Sequence, residues 1–298
     1  MSQEIRINFL KYRHIAAVAS FLVLGAAVVG YFYKEHKYGQ AFKYSLEFSG
    51  GTQTLFKFSK PITSAAIIEI VEKAGWQGAI TREFSELQIL VRVKDVATDS
   101  KGLSERIREA LQTSLPGTQI DILQSETVGA GVGAEMRWQA TRAVLVSMIA
   151  MLIYIAIAFW SFSFAIGAIV ALFHDPLVIL ATFLFLDKEI SIIFIAAVLA
   201  VIGYSINDTI VIFSQIKKNI KKMQGVPLVD IVNISINQTL RRTVLTSFAT
   251  ALTVLSMYLL GGEVLHDFSL ALLIGIVVGT YSSIYVASPV MMLFYKNK

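Results

Sequence analysis

The sequence predicts an α-helical membrane protein with six transmembrane helices and an extracytoplasmic α+β domain between helices 1 and 2. The chain has 298 residues, of which 55% are hydrophobic and 16% charged, and its mean hydropathy is +0.64. Soluble proteins are about 45–50% apolar and about 25% charged, so this composition indicates an integral membrane protein. Long apolar segments alternate with polar stretches, and one of those stretches is long enough to form a domain.

The first apolar segment, residues 15–33, carries no charged side chain and has about the length that one crossing of a bilayer requires. A cleaved signal peptide is the alternative, with Gly39-Gln40-Ala41 as a weak small-residue cleavage site. The apolar run is longer than a usual signal core and bulky residues follow it, so an uncleaved anchor is favoured. Residues 1–33 are therefore interpreted as a cytoplasmic N-terminus and the first transmembrane helix.

Residues 34–136 have mixed charge and the periodicities of both strands and helices. Alternating apolar residues predict strands on both sides of a bend at Gly50-Gly51 and again further along the chain. The predicted strands are 44–48, 55–58, 79–84, 87–93 and 120–122. Helical spacing predicts helices near 67–74 and 103–111. With the two segments on either side of the bend counted as one strand, the order is β-α-β-β-α-β, which is that of a ferredoxin-like domain.

Residues 137–298 are interpreted as a five-helix transmembrane domain, which a glycine-rich joint at 129–133 connects to the preceding domain. Its predicted helices are 138–160, 164–186, 190–213, 243–262 and 268–294. A polar cytoplasmic loop is predicted at 214–242. Lysines and arginines concentrate on the cytoplasmic side if the N-terminus is cytoplasmic, with Arg137 and Arg142 as exceptions. The residues that define this side are Arg6, Lys11, Arg13, Lys217, Lys218, Lys221, Lys222, Arg241, Arg242, Lys296 and Lys298.

Three ionisable spots lie within or at the ends of the apolar segments. They are His174-Asp175, Asn207-Asp208 and Arg241-Arg242. A charged side chain at the centre of a bilayer costs roughly 3 kcal/mol on insertion scales. A membrane protein therefore keeps such residues either because they are paired or because they function.

Asp175 is predicted about 16 Å into its helix, near the bilayer midplane. His174 adjoins it, and Pro176 removes a backbone donor, which can kink the helix. These side chains either make only interhelical hydrogen bonds or take part in function. The cost of keeping an ionisable pair at this depth favours function.

Asp208 is predicted roughly 8 Å inside the inner boundary of the membrane, and Arg242 begins the next span from the same side, so an ion pair between them is possible. The arginine would stabilise the carboxylate, whereas burial would stabilise the neutral acid, and such opposing effects suit a proton site. A static ion pair and an arginine that extends to the interface are the alternatives. The proton-pathway candidates are Asp208, Arg242, Asp175, Asn207 and His174.

Two stripes of small or hydroxyl residues occupy single helical faces. The hydroxyl stripe is equally consistent with a water path and with packing, and comprises Thr243, Thr246, Thr250 and Thr253. The small-residue ridge is typical of close helix packing and comprises Gly275, Gly279, Ser283 and Ala287. Gly203 and Ala200 are expected to pack in the same way on the fourth helix.

The sequence carries no signature of a soluble enzyme or of a metal site. The absence of cysteine excludes disulfides, thiolate metal sites and cysteine nucleophiles. A phosphate loop, a zinc-protease motif and a nucleophile elbow are also absent, so we expect neither enzymatic activity nor a cofactor. The net charge of +5 is concentrated beside apolar segments, which indicates membrane topology and not nucleic-acid binding.

Several runs, in one order over nearly the whole chain, resemble the SecF family of bacterial protein-export membrane proteins. The most specific is the run V-I-G-Y-S-I-N-D-T-I-V at 201–211, which contains Gly203 and Tyr204. The last span, with Gly275 to Ser283 and Ala287-Ser288-Pro289, is similarly specific. Further similar runs are 48–52 with Gly50 and Gly51, 133–135, 171–175 and 237–243.

The resemblance implies an accessory subunit of the Sec protein translocase in the bacterial inner membrane. Such a subunit pairs with SecD in a unit similar to RND-type exporters, associates with the SecYEG translocon and uses the proton-motive force to draw preproteins outward. Asp208 and Arg242 match the family's proton-pathway positions, and Asp175 is a weaker candidate. The implied partners are SecD, SecYEG, preproteins and the lipid bilayer.

Two other functions are compatible with the residues. The chain could be half of an RND-like exporter of small molecules or lipids, which a large apolar pocket in the outer domain would favour. It could also be a scaffold that transports nothing, in which Asp208 and Arg242 are purely structural. Oxygen ligands from Asp, Asn and Thr suit both protons and sodium ions, so the driving ion stays open.

Overall fold

The computed structural model describes residues 7–95 and 100–295, and six of the helices in these ranges are long and apolar enough to cross a membrane. They are Phe9–Tyr38, Gly131–Phe159, Phe162–Phe185, Ile192–Lys222, Leu228–Leu260 and Leu265–Phe294. The prediction of six spans is therefore confirmed. Arg6, Lys296 and Lys298, which contribute to the predicted orientation, lie outside the described residues.

The regular elements follow one another with short connections. The helices are α1 (Arg13–Tyr38), α2 (Leu46–Ser49), α3 (Ser64–Lys73), α4 (Ser100–Ser114), α5 (Ala130–Phe159), α6 (Phe162–Phe185), α7 (Ile192–Lys222), α8 (Leu228–Leu260), α9 (Gly262–Ser282) and α10 (Ser288–Phe294). The strands are β1 (Lys43–Tyr44), β2 (Gly51–Phe58), β3 (Ile80–Ser85), β4 (Gln88–Val93), β5 (Ile120–Val128) and β6 (Glu189–Ile190). A 3-10 turn, Phe9–Tyr12, precedes α1, and a π-helical turn, Ser283–Ala287, joins α9 to α10.

The chain divides into two compact units. One is Met1–Lys43 with Arg142–Lys298, and the other is Tyr44–Thr141. The first unit contains the helical bundle, and the second contains the larger sheet. The predicted domain boundaries at 33/34 and 136/137 fall inside α1 and α5, because both helices extend beyond their apolar segments.

In the second unit, four antiparallel strands stand in the order β3-β4-β2-β5. Helix α3 connects β2 to β3, and α4 connects β4 to β5. One hydrophobic core joins the sheet and both helices, because the alternating residues of the strands and the i, i+4 residues of the helices are apolar. Its fully buried members include Phe56, Phe58, Ile67, Val71, Ile89, Val91, Leu103, Ile107 and Leu111.

The segment before β2 differs from its prediction. Alternation predicted a strand at 44–48, but Leu46–Ser49 form one helical turn, in which the Gly50 amide donates to the Leu46 carbonyl at 2.9 Å. Gly50 and Gly51 have φ angles of 71° and 118°, which other residues rarely adopt. A Cβ atom on Gly51 would also clash with the carbonyl oxygen of Val93. The predicted bend at these glycines is confirmed, and it requires glycine.

The interval 214–242, predicted as a cytoplasmic loop, is helical except for residues 223–227. Its helical ends are amphipathic, since Ile216 and Asn219 of α7 and Ile231 of α8 are buried. Asn219 Nδ2 donates to Ser235 Oγ at 2.8 Å across the two helices. The sequence analysis predicted a loop because lysines stand between these apolar residues, so the helical spacing of the apolar residues is not obvious. The predicted glycine-rich joint is likewise helical from Ala130 onward.

An ion pair links the C-terminal parts of α1 and α6. Lys34 Nζ donates to Asp187 Oδ1 and to the Leu184 carbonyl oxygen, both at 2.5 Å. The hydrogen bond from Lys34 holds the pKa of Asp187 below its usual range. Since the native pKa lies below the unfolded one, the pair stabilises the fold above the ordinary aspartate pKa. This contribution is lost as the pH falls through the native value.

Replacing Lys34 by methionine is expected to raise the pKa of Asp187 towards its ordinary value. The effect on stability is expected to be small, about 0.5 kcal/mol, because an exposed ion pair is worth little and the Asp187 side chain is 60% exposed. A carboxyl-carbon NMR titration of Asp187 measures the pKa shift. Lys37→Met is the control, because Lys37 donates to Tyr33 instead. An unchanged Asp187 titration in Lys34→Met would contradict this assignment.

Candidate functional site

The membrane unit buries two carboxylates, Asp175 on α6 and Asp208 on α7. Only 1% and 2% of their surfaces are exposed. Asp208 lies near the middle of α7, because that helix continues to Lys222. Asp175 accepts a hydrogen bond from Ser205, which precedes Asp208 by less than one turn of α7. Helix α7 thus carries Asp208 and, within the same turn, a hydrogen-bond partner of Asp175.

Asp208 is surrounded by hydroxyl groups. Its Oδ2 atom accepts from Ser247 Oγ of α8 at 3.4 Å and from Thr280 Oγ1 of α9 at 3.3 Å. The two hydroxyls are themselves 2.8 Å apart. Within the described ranges, no lysine, arginine or histidine lies at ion-pair distance from this carboxylate. Burial of a carboxyl group away from a close basic partner favours its neutral form, which suits a group that binds and releases a proton.

Arg242 does not pair with Asp208 in this conformation, which corrects the expected ion pair. Its side chain is exposed and, with Asn207, lines a surface cavity of about 530 Å³ between α7 and α8. Successive residues of a helix point about 100° apart, so Asn207 and Asp208 face different sides of α7. Thr243, the next residue after Arg242, lies instead on the buried face of α8. The two predicted partners are thus at similar positions along their helices but on different faces.

A row of buried hydroxyl residues follows α8 towards Asp208. Its members, spaced four residues apart, are Ser235, Thr239, Thr243 and Ser247. The predicted threonine stripe shares only Thr243 with this row, because its other members are at least partly exposed. Among the described residues, the buried Oγ1 of Thr243 has no hydrogen-bond partner. The row lines the buried face of α8 with hydroxyl groups, of which Ser235 and Thr239 donate to carbonyls of their own helix.

Asp175 is enclosed by its own helix and two others. Its Oδ1 atom lies 2.9 Å from His174 Nδ1, so the adjacent histidine does share its site. Its Oδ2 atom accepts from Ser282 Oγ of α9 at 2.8 Å and from Ser205 Oγ of α7. Pro176 follows within a helix that the structure shows as continuous. The pair is thus built into the contact of α6, α7 and α9.

One turn of α9 contacts both carboxylates. Thr280 donates to Asp208, and Ser282 donates to Asp175. Ser283, the next residue, is 3.1 Å from the hydroxyl of Thr209 and begins the π-helical turn. Such turns are rare and occur frequently at functional sites. A displacement of this turn would therefore change the surroundings of both acids at once.

Small residues allow α9 to approach α7 closely. A Cβ atom on Gly275 would clash with the side chain of Val201, and one on Gly279 would lie 2.8 Å from Ser205 Cβ. This close approach places Ser205 and Thr280 beside the carboxylates. The predicted packing ridge is confirmed.

Gly203 does not pack as predicted. A Cβ atom added to it would meet no atom within 4 Å in the described part of the chain, so this glycine lies on an open face of α7. The exposed Asn207 follows one turn later. The hydroxyl of the neighbouring Tyr204 is buried, and no described residue bonds to it. The face of α7 that bears Gly203 and Asn207 is therefore not covered by the described part of the chain, whereas the Tyr204 hydroxyl lies inside it.

Comparisons with known proteins identify the family. Residues 107–297 match the family model described as Protein export membrane protein SecD/SecF, C-terminal. The chain is 38% identical to the protein translocase subunit SecF of Thermodesulfovibrio yellowstonii, over 98% of this chain and 95% of that relative. The chain belongs to the SecF family of protein translocase subunits. It is also 36% identical to the SecF of Vibrio alginolyticus, over 97% of this chain and 90% of the relative.

SecF-family membership also agrees with a solved structure. The crystal structure of SecDF from Thermus thermophilus, described as a translocon-associated membrane protein, matches with a TM-score of 0.86 and 35% identity. The match covers 99% of this chain and 39% of the SecDF chain, so the chain spans about two-fifths of that protein. The fold of this chain is thus that of the corresponding part of SecDF, with multiple spans of the membrane.

The sequence did not predict six hydroxyl residues that form the hydrogen bonds around the two acids of this SecF-family chain. They are Ser20, Ser205, Ser247, Thr280, Tyr281 and Ser282. Single hydroxyls are common in membrane helices and carry no motif of their own. A usable signal existed for some of them, because Ser205 lies within the specific run at 201–211 and Thr280 follows Gly279 of the packing ridge.

Proposed function

We propose that the chain is a proton-coupled accessory subunit of the Sec translocase, which acts with SecD to promote the export of preproteins. The observation that carries this proposal is the buried Asp208, which accepts from two hydroxyl groups and has no basic side chain at ion-pair distance among the described residues. Family membership supplies the export role, because the relatives are named protein translocase subunits. The proposal includes neither an enzymatic activity nor a cofactor.

In the proposed mechanism, Asp208 binds a proton from one side of the membrane and releases it to the other. The hydroxyl row of α8 provides the approach from the end of the helix that bears Ser235. Arg242 and Asn207 line a surface cavity between α7 and α8 that water could enter. Asp175 with His174 forms a second protonatable site in contact with the same turn of α9. One charge moving across 100 mV supplies about 2.3 kcal/mol, which is enough to shift a balance between two helix packings.

We further propose that SecD occupies the open face of α7. Gly203 there permits close approach of another helix, and the exposed Asn207 offers a polar partner. The SecDF relative, in which a region similar to this chain accounts for 39% of the length, supports such an association. The SecYEG translocon and the translocating preprotein would be the further partners.

The unit Tyr44–Thr141 is proposed to be a ferredoxin-like domain on the outer side of the inner membrane. Its strand order, β3-β4-β2-β5, and its alternation of strands and helices support this classification. Its contiguous apolar core supports a solid domain that acts on a polypeptide, in preference to an exporter's pocket. The lysine cluster at the C-terminal end of α7 supports cytoplasmic termini.

The decisive experiment measures preprotein export by membranes that contain or lack this chain, with the rest of the translocase intact. Export is followed with a proton gradient, with a sodium gradient, and after an ionophore has collapsed either one. We expect the gradient-dependent part of export to require the chain and the proton gradient. Equal gradient dependence with and without the chain would overturn the proposal, and dependence on sodium alone would reassign the driving ion.

A further inference from the structure

A chain of hydrogen bonds leads from Asp175 to the first membrane helix. His174 Nε2 lies 3.0 Å from Ser20 Oγ, and Ser20 Oγ lies 3.0 Å from the Tyr281 hydroxyl. That hydroxyl donates to the carbonyl oxygen of Ala16 at 2.7 Å. We name these five residues the α1 relay.

Helix α1 has few other attachments. Ala16 is its buried residue, and most of its remaining side chains are exposed. Within Arg13–Tyr38, the described side-chain hydrogen bonds to the other membrane helices are those of the relay and those of Lys34. The turn before α1 is held separately, since Asn233 and Asn237 of α8 bond to the backbone of Phe9 and Ile7. Helix α1 ends shortly before the unit Tyr44–Thr141 begins.

The number of available protons determines which atom donates and which accepts in each hydrogen bond of the relay. The single hydroxyl proton of Tyr281 goes to the Ala16 carbonyl, so towards Ser20 this tyrosine can only accept. Ser20 therefore donates to Tyr281 and accepts from the Nε2–H group of His174. The 2.9 Å contact between His174 Nδ1 and Asp175 Oδ1 then holds one further proton, either on the histidine or on the acid.

Loss of one proton from this pair reverses the relay. The contact with Asp175 survives only if a proton stays on Nδ1, so the proton released to solvent is that of Nε2. His174 Nε2 then accepts, and Ser20 must donate to it and no longer to Tyr281. Tyr281 must in turn rotate its proton from Ala16 to Ser20. The carbonyl of Ala16 thereby loses its side-chain donor, and α1 loses one of its few polar attachments.

We propose that the α1 relay transmits the protonation state of the His174–Asp175 pair to helix α1. The protonated pair holds α1 against the bundle, and the deprotonated pair loosens it. Ser20 and Tyr281 are positioning residues that act through His174. The purpose of this movement in export rests on the proposed function, whereas the movement itself can be measured without any export assay.

The pair has no competing charged partner in the described part of the chain. The groups that face it from other helices are hydroxyls, namely Ser20 of α1, Ser205 of α7, and Ser282 and Tyr281 of α9. The next titratable groups are Tyr285, whose ring lies 5.4 Å from that of Tyr281, and Asp208, one turn beyond Ser205 on α7. The aspartate is distinguished from the pair by Asp208→Asn in the test below.

The chain contains no cysteine, so spin labels can be attached at introduced cysteines alone, and the position of α1 relative to α6 can be measured directly. Spin labels on Val29→Cys in α1 and Leu177→Cys in α6 would occupy positions that are 69% and 47% exposed. Distances between them are measured by pulsed electron paramagnetic resonance on the full chain in lipid vesicles, over a range of pH. With the relay intact, we expect a narrow distribution of label-to-label distances at low pH. At high pH we expect this distance distribution to be shifted and broader.

Two variants are expected to remove this pH response in opposite ways. Ser20→Ala cuts the link to His174 but leaves the bond from Tyr281 to Ala16, so the distribution stays narrow at every pH. Tyr281→Phe removes that bond, so the distribution stays broad. Ser20→Thr, which keeps a hydroxyl, should restore the response. Tyr285→Phe, which removes a hydroxyl one turn away and outside the relay, is the matched control and should behave as the parent.

A pH response that persists in Ser20→Ala, or is absent from the parent, would overturn the relay. Asp208→Asn separates this inference from the proposed function, because it should retain the α1 response while losing gradient-driven export. If Asp208→Asn exports normally and Ser20→Ala still abolishes the response, the relay stands and the proposed function fails. If Asp208→Asn abolishes the response as well, Asp208 is the titrating group and the relay fails.

Discussion

Asp208→Asn is expected to abolish the gradient-dependent part of preprotein export. The amide oxygen can still accept from Ser247 and Thr280, so the packing around residue 208 is retained, but the side chain can no longer bind and release a proton. A gradient of 100 mV supplies about 2.3 kcal/mol per charge, so the driven process is expected to slow by up to roughly 50-fold. Export by membranes that contain equal amounts of parent and variant chain is the measurement.

Asp230→Asn is the matched control for this substitution. Asp230 lies in the first turn of α8 and is exposed, so its neutralisation should leave gradient-driven export unchanged. Export in the absence of a gradient should be equal in the parent and both variants, which separates a loss of coupling from a loss of folding. Gradient-driven export at the parental rate in Asp208→Asn would refute the role of this carboxylate.

Gly167→Ala is expected to destabilise the membrane unit strongly. The added Cβ atom would lie 2.5 Å from the Ala287 carbonyl oxygen and 2.9 Å from Met291 Cβ. Neither atom can rotate away, because one belongs to the backbone and the other is attached to it. Overpacking of this kind costs about 1–3 kcal/mol. Thermal unfolding in detergent, followed by loss of the monodisperse protein, measures the effect.

The same substitution at Gly25 is expected to stabilise the protein instead of destabilising it. A Cβ atom there would meet no described atom within 4 Å, and alanine is favoured over glycine in a helix by about 1 kcal/mol. Both variants add one methyl group to a helix, and they differ in the space available for it. Equal unfolding temperatures for Gly25→Ala and Gly167→Ala would show that α6 and the π-helical turn do not pack as described.

The spans were predictable from the sequence because each apolar segment meets the length requirement of the bilayer by itself. The break between α5 and α6 was also readable, since the uncharged run around Trp160 is too long for one helix. The helical extensions of α7 and α8 were not. Their spacing is visible only when Ile216 and Ile231 are weighed against the lysines between them, and composition alone suggests a loop.

Of the candidate site, the sequence identified the acids but not their partners. Position along a helix follows from counting residues, and on that basis Asp208 and Arg242 were expected to pair. Rotation about the helix axis follows from packing, here from the fit of Gly275 and Gly279 against α7. That packing turns Asp208 towards Ser247 and leaves Arg242 on the surface. No pattern within one helix specifies such a rotation.

The turn of α9 that carries Thr280 and Ser282 has a thermodynamic consequence. Because both hydroxyls belong to one rigid turn, a shift that improves one bond changes the other. If protonation of one acid moves this turn, linkage requires that protonation of the other acid acts back on the first with the same coupling free energy. The turn of α9 is thus a described element through which the two acids could act on each other in both directions.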